Sequence, residues 1–333
     1  MNRVRVYVIF GGTGGIGSHV ARLCLTLGHD VVVLDDLSGG FLDNVPEGAT
    51  FVQGSITDEK LVQDLFSEHQ FEYVYHLAAY AAEGLSHFIR RFNYTNNLIG
   101  TANLINESVK HGIRCFVFTS SIAVYGTNQL PMTEEMIPQP EDPYGIAKYA
   151  VELDLRAAHD MFGLNYVVFR PHNVYGENQN IGDRYRNVIG IFMNQIMQGQ
   201  PMTVFGDGMQ TRAFSYIGDV APQIASSVHV PEAFGEAINI GADKPYTVKY
   251  LAKAVAKVFD VEPNVRYLPA RNEVVHAFSD HSKAARLFDQ GPATELEEGL
   301  RRMAEWAIRV GARRSQDFEE IELRQNLPSS WQE

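Results

Sequence analysis

Cysteine is nearly absent, with only Cys24 and Cys115 in 333 residues. Cys24 lies in a helical pattern and Cys115 in a strand pattern. No pair spacing suggests a zinc site or a redox motif, which leaves two buried free thiols in a reducing cytoplasm. Positive charge is also short: 28 Lys and Arg stand against 40 Asp and Glu, a net −12. That balance argues against a general nucleic-acid surface, which needs a basic patch. It leaves room for a nucleotide held by backbone amides and a few arginines. No apolar run approaches the roughly 18 residues that span a bilayer. Val4 to Phe10 is apolar but short, and glycines follow at once, so no signal peptide is expected. There is no fixed-period repeat and no low-complexity stretch. Apolar content of 45% and charged content of 20% are ordinary for a globular chain able to bury a sizeable core.

The chain then alternates in a regular way. Arg3 to Phe10 is a β-branched and aromatic run, read as a buried strand. The loop Gly11-Gly12-Thr13-Gly14-Gly15-Ile16-Gly17 follows, and Ser18 to Leu27 has helical periodicity. A strand, a glycine loop and a helix in this order form a dinucleotide-binding turn. Glycine lets the backbone approach a pyrophosphate, and the helix N-terminus offers free N–H groups. The second strand, Val31 to Leu34, ends in Asp35, 18 residues past Gly17. An acid there is placed to bind ribose hydroxyls and to repel a 2′-phosphate. No Lys or Arg lies between Arg22 and Lys60, so NAD is favoured over NADP. Asp58 either caps a helix or reaches the adenine amino group.

Further strands are read at Thr50 to Gly54, Tyr73 to Leu77, Arg114 to Ser120 and Asn165 to Arg170, with helices over 92–110 and 144–162. His76 has no second His or Cys at metal spacing and is read as structural; no metal is expected. This βαβα order predicts an α/β fold, a Rossmann doubly wound parallel sheet with a smaller C-terminal substrate-binding lobe. The boundaries are 1–170 for the NAD-binding domain, with a return at 213–241, and 171–312 for the lobe. Later elements are a helix at 184–199, a strand at 202–205, a helix capped by Thr247 and a helix at 296–310. The tail, 313–333, is read as a surface helix or partly disordered.

Pro143 marks a helix start, and Tyr144 and Lys148 fall one turn apart on one helix face. A nearby ammonium favours the phenolate and lowers the tyrosine pKa, which suits proton removal from a substrate hydroxyl. The spacing alone is common by chance.

Together these residues resemble the extended short-chain dehydrogenase/reductase family, in its nucleotide-sugar epimerase and dehydratase branch. The likeness is carried by Gly11-x-x-Gly14-x-x-Gly17, Asp35, Asp58, His76-Leu77-Ala78-Ala79, the Asn97 region, Ser120-Ser121 before Val124-Tyr125-Gly126, and Tyr144-x-x-x-Lys148. It continues through Arg170-Pro171-His172-Asn173-Val174-Tyr175-Gly176, Phe205-Gly206-Asp207-Gly208 with Arg212, and Arg271 near Glu273, and so runs to about Arg309.

The resemblance implies that Gly11, Gly14, Gly15, Ile16 and Gly17 face the NAD pyrophosphate and that Asp35 binds the adenosine ribose. Asp58, Ile56, Leu77, Ala78, Ala79 and Asn97 would also meet the cofactor, and Lys148 would meet the nicotinamide ribose. Ser121, Tyr144 and Lys148 would be catalytic. Asn173, Arg212 and Arg271 would hold the substrate diphosphate, most plausibly that of a UDP-sugar, and a homodimer would form through the 92–110 and 144–162 helices.

Dehydratases of the branch resemble a pattern with acids after the serine or threonine that precedes Val-Tyr-Gly. Here those positions are Ile122 and Ala123, which cannot move a proton. Similarity therefore favours 4-epimerisation through a 4-keto sugar. Ala78 to His87 departs from the family pattern. Tyr80, Glu83 and Ser86 are the candidates to face the sugar there, and Glu83 would disfavour a uronate. A dehydratase or 3,5-epimerase relative using Glu83 or His172 as a second acid or base is the alternative, and a non-catalytic NAD-binding regulator is a third reading.

Overall fold

The structure, a computed structural model, describes residues 5–332 except 128, 272, 316, 317, 319 and 320. The start of the expected first strand, Arg3 and Val4, lies outside the described residues.

The first half lays down β1 (Val6–Phe10), α1 (Gly15–Thr26), β2 (Asp30–Asp35), β3 (Thr50–Gln53), α2 (Glu59–Glu68), β4 (Phe71–His76), α3 (Glu83–Ser86), α4 (Arg90–Tyr94), α5 (Gly100–Lys110), β5 (Cys115–Thr119), α6 (Pro143–Phe162) and β6 (Tyr166–Pro171). The second half adds β7 (Val174–Tyr175), α7 (Val188–Met197), β8 (Met202–Phe205), β9 (Thr211–Ala213), β10 (Ser215–Tyr216), α8 (Ile217–Ser226), β11 (Ala237–Ile240), β12 (Pro245–Thr247), α9 (Val248–Val258), β13 (Val265–Leu268), β14 (His276–Ala277), α10 (Ser282–Leu287) and α11 (Leu296–Val310).

Seven parallel strands form the central sheet in the order β11-β6-β5-β4-β1-β2-β3. Strands covered on both faces read as continuous apolar runs, and β5, Cys-Phe-Val-Phe-Thr, is buried throughout. One face packs against α1, α8 and the later helices, the other against α2, α5 and α6. The strand order reverses direction between β1 and β4. Such a switch point opens a crevice at the carboxyl ends of the strands, where ligands bind in this class of fold. Cys24 and Cys115 are buried free thiols, and burial pushes both up to about 12.

Three helices show local causes for their ends. Asp142 accepts from Gly145 N–H at 2.9 Å and Pro143 opens α6, while Gly163, at φ +74, ends it. Asp58 caps α2 by accepting from Leu61 N–H at 3.0 Å. Thr247 caps α9 through Tyr250 N–H at 3.1 Å.

Three expectations change. The helix expected over 92–110 begins at Arg90 and contains a π-helical turn, Thr95–Ile99, between α4 and α5. The helix expected at 184–199 starts only at Val188, because Asp183 holds Tyr185 N–H and the Arg186 side chain in a turn and Asn187 is left-handed at φ +65. Among its described residues the tail has a short 3₁₀ turn, Ser329–Trp331, and packs back on α4 in place of the expected surface helix.

Candidate active site

A cavity of about 600 Å³ opens at the carboxyl ends of β1, β2, β4, β5 and β6. At one end lies the glycine loop. Gly11 sits at φ +84, and a Cβ on it would come within 2.6 Å of the Ala78 backbone. A Cβ on Gly17 would lie 2.0 Å from the Gly11 carbonyl oxygen. Helix α1 starts with no side-chain cap at Gly14, so its first N–H groups stay available to an anion. Gly14, Gly15 and Ile16 also line this end.

Asp35 accepts from Thr13 N–H at 3.0 Å and Leu37 N–H at 2.8 Å. Burial still holds its carboxyl above the usual range, and the remaining lone pairs face the cavity. Ile56, Leu77, Ala78 and Ala79 line the same wall. Asp58 and Asn97 do not. Asp58 is exposed and caps α2 through one carboxylate oxygen. The Asn97 side chain is buried in the π-helical turn, accepting from Tyr80 N–H at 2.9 Å and donating to Tyr80 O and Asn93. It holds the Tyr80 segment in place, and its neighbour Asn96 lines the cavity instead.

The middle of the cavity holds Ser121, Tyr144 and Lys148. Ser121 leaves β5 and caps a short turn through Ala123 N–H at 3.1 Å, and its hydroxyl lies on the Tyr144 side of the cavity, where it favours the phenolate. The Tyr144 side chain is buried on the first turn of α6. Lys148 donates to the Thr119 carbonyl at 2.7 Å, and its ammonium lies 4.6 Å from the Phe118 ring centroid and 5.7 Å from the Tyr144 ring centroid.

The expected lowering of the tyrosine pKa by Lys148 does not occur in the protein alone. Burial raises the Tyr144 phenol well above its usual range, the Glu83 and Asp142 carboxylates add to this, and Ser121 and Arg186 oppose it. Burial also pushes the Lys148 ammonium down to about 7. Desolvation is the largest cause for both groups.

Glu83 is exposed into the cleft and lines both the main cavity and its side chamber. Poor solvation there, reinforced by Asp142 and opposed by Arg212, pushes its carboxyl up to about 7. Tyr80 lines the cavity with its ring under the Arg186 guanidinium, 4.9 Å from the centroid. Ser86 does not face the cavity. Its hydroxyl donates to Glu83 O at 2.6 Å and accepts from Tyr144 N–H at 3.2 Å, so it ties α3 to α6.

At the far end, Arg212 and Arg271 converge on one carboxylate. Arg271 donates to Glu273 at 3.1 and 3.2 Å, and Arg212 pairs with it at 3.6 Å while donating to the carbonyls of Thr211, Val274 and Val275. Asn173, left-handed at φ +41, donates to Ala213 O at 3.1 Å and faces the cavity.

A side chamber of about 90 Å³ adjoins the cavity, between Ser121, Glu83, Arg212 and His172. His172 is buried against Ala213 O at 3.0 Å and His281 at 3.0 Å, and burial pushes it down to about 3. His281 bonds Asp243 in turn. Both ring nitrogens of His172 thus have protein partners.

Three wall residues escaped the sequence reading. Asp142 carried a visible signal, an Asp before Pro at a helix start. Arg186 reaches the loop at Gly39, a cation near the ribose end that no local pattern shows. Ser120 Oγ is buried without a hydrogen-bond partner.

Residues 7–241 match the NAD dependent epimerase/dehydratase family. A putative UDP-glucose 4-epimerase of Methanocaldococcus jannaschii is 33% identical over 90% of this chain and 97% of its own. The crystal structure of a UDP-glucose 4-epimerase with UDP-glucose from Thermotoga maritima superposes with a TM-score of 0.87 at 34% identity, covering 92% of this chain and 99% of its own. That of a Thermus thermophilus UDP-glucose 4-epimerase with NAD gives 0.85 at 30% identity, covering 91% and 98%. The chain belongs to the NAD-dependent epimerase/dehydratase family. It is an enzyme of the extended short-chain dehydrogenase/reductase type, and its cofactor is NAD.

The residues present fit that cofactor. The glycine cradle has no room for a Cβ at Gly11 or Gly17, Asp35 keeps acceptor capacity, and the orphaned Ser120 hydroxyl awaits a partner on the wall. Among the described residues no helix is long and apolar enough to cross a membrane, and no cluster of metal-ligating side chains occurs.

Proposed function

We propose that this enzyme epimerises the 4-hydroxyl of a nucleotide-diphosphate hexose, most plausibly a UDP-hexose. The observation that carries the reading is the meeting of Ser121 and Tyr144 in one cavity, with the buried Lys148 one turn on and no acid at 122 or 123. NAD⁺, when bound, supplies the hydride acceptor and a positive charge beside the phenol. Tyr144 takes the proton of the sugar 4-hydroxyl, and Ser121 hydrogen-bonds that oxygen. Lys148 holds the nicotinamide ribose. Asn173, Arg212 and Arg271 bind the diphosphate, with Glu273 keeping the two guanidinium groups aimed at the cavity. A fork of this kind meets phosphate oxygens two at a time. Holding the nucleotide end leaves the hexose free to present its other face, so binding energy sits away from the reacting carbon.

Glu83 favours one alternative. A carboxyl poised near 7 beside Tyr144 is suited to acid–base work on the keto sugar, as a dehydratase or 3,5-epimerase would need. NMR of the products from a panel of UDP-, dTDP-, GDP- and CDP-sugars separates the readings. An epimer of unchanged mass supports the first, loss of water or change at C3 or C5 the second, and no conversion of any sugar nucleotide defeats both.

A homodimer is the expected assembly. Ile99, Ile146, Leu153 and Phe162 are exposed on the helices through which the dimer would form, a costly set to leave in water. Sedimentation of a monomer would contradict it. The buried free thiols suit a cytoplasmic setting.

A further inference from the structure

The tail beyond α11 is fastened along the outside of the cavity wall. Arg313 pairs with Asp43 at 2.9 Å and lies 3.9 Å from the Phe41 ring centroid. Ser315 donates to Asn180 at 2.8 Å. The Phe318 ring centroid is 5.4 Å from that of Tyr80 and 4.7 Å from that of Phe92. The Glu322 carboxylate accepts from the N–H groups of Arg91 and Phe92, at 2.8 Å each, at the start of α4. Leu327 and Trp331 then bury themselves beside Leu85 and Ile89. A chain end is usually loose unless tied down, and this one is tied at five places.

Trp331 meets the wall at two points that matter for substrate. A Cβ on Gly84 would lie 3.2 Å from its indole, so the ring fills the space behind the residue that follows Glu83. The Arg271 guanidinium lies 6.0 Å from an indole ring centroid and 4.5 Å from that of Phe205. An aromatic face at this range attracts a guanidinium and limits its rotamers. Glu273 holds the same guanidinium by its N–H groups, so its direction is set from both sides.

We propose that the tail completes the substrate site from behind, with Trp331 a positioning residue that sets Arg271 for the diphosphate and the Glu83 turn for the hexose. This rests on the reading of the site as a nucleotide-sugar site. Trp331 does not line the cavity itself. Its loss removes one of the two aromatic faces beside Arg271 and opens space under Gly84, so it weakens nucleotide binding more than it slows the chemical step at Tyr144.

The test uses the full-length holoenzyme and three readouts: UDP binding by calorimetry, KM against kcat for the sugar turned over, and bound NAD with the thermal melt. Trp331→Ala should weaken UDP binding and raise KM about tenfold with kcat within about threefold, since one stacking contact of this size corresponds to a decade in affinity. Trp331→Phe should restore most of both. NAD content should be unchanged in both variants. Unchanged UDP affinity and KM in Trp331→Ala overturns the inference alone. Loss of NAD or of a cooperative melt in Trp331→Ala, with no rescue by Phe, makes Trp331 a folding residue and also overturns it. Failure of the wild-type holoenzyme to bind UDP or any other nucleoside diphosphate overturns the reading beneath it, and the inference with it.

Discussion

The Tyr144 backbone N–H donates to the Ser86 hydroxyl at 3.2 Å, and that hydroxyl donates to the Glu83 carbonyl at 2.6 Å. One buried serine therefore links the residue placed for proton transfer to the acid that faces it. Ser86→Ala removes both bonds. A buried hydrogen bond contributes on the order of 1 kcal/mol, so kcat should fall about fivefold with KM little changed. Steady-state kinetics checks this, and an unchanged kcat would show that α6 alone sets Tyr144.

Tyr144→Phe removes the hydroxyl and leaves the ring that fills the site. The variant should fold, retain NAD and lose turnover by roughly 10² to 10⁴-fold, the usual worth of a positioned acid–base group. NAD content by absorbance of the denatured supernatant, together with product NMR, decides it. Turnover near wild type would end the catalytic assignment.

Glu83 makes two pH predictions. Its negative charge raises the Tyr144 phenol, so Glu83→Gln should lower the phenol pKa and move the acidic limb of kcat to lower pH. A limb that stays put would show no coupling. For stability, the folded carboxyl is raised from 4.5 to about 7. The folded state then holds the proton more tightly, so this group's contribution is full below about pH 4.5 and is lost as pH rises through 7. The melting temperature of Glu83→Gln relative to wild type should rise across that window and level off above it.

Gly17→Ala places a methyl 2.0 Å from the Gly11 carbonyl oxygen. Backbone must move, at a cost of about 1–3 kcal/mol, and the pyrophosphate cradle moves with it. The purified variant should carry little NAD and melt earlier than wild type. Full NAD occupancy would contradict the steric reading of the loop.

Arg170 and Glu152 form a buried pair, Nε to Oε1 at 3.0 Å, with Arg170 also donating to the Tyr125 hydroxyl at 2.7 Å. Arg170→Met strands a buried carboxylate and should cost about 3–5 kcal/mol, read by denaturant unfolding. Replacing Glu152 with Gln as well should recover part of that loss. A single variant as stable as wild type would show that Glu152 finds water.

The alternation of strands and helices was readable because each signal is local. Apolar runs mark β1 to β6, Pro143 marks the start of α6, and Thr247 caps α9 as its position suggested. The glycine loop, Asp35 and the pairing of Tyr144 with Lys148 were readable for the same reason. The π-helical turn at Thr95–Ile99 was not, since it keeps the polar and apolar pattern of an ordinary helix while turning Asn97 inward to Tyr80.

Nor could spacing tell which of two neighbours faces a cleft. Ser86 and Asn97 went to backbone partners, and Glu83 and Asn96 went to the cavity.

The order of elements, the cofactor turn and the tyrosine–lysine spacing belong to the sequence by itself, because periodicity, capping and glycine content act within a few residues. Tertiary structure decided the electrostatics of the site and the place of the tail. Burial came to dominate both the Tyr144 phenol and the Lys148 ammonium, one carboxylate came to hold two arginines, and Trp331 came to rest behind Arg271. Desolvation and contacts between distant segments depend on how the chain closes on itself, and no local pattern records that.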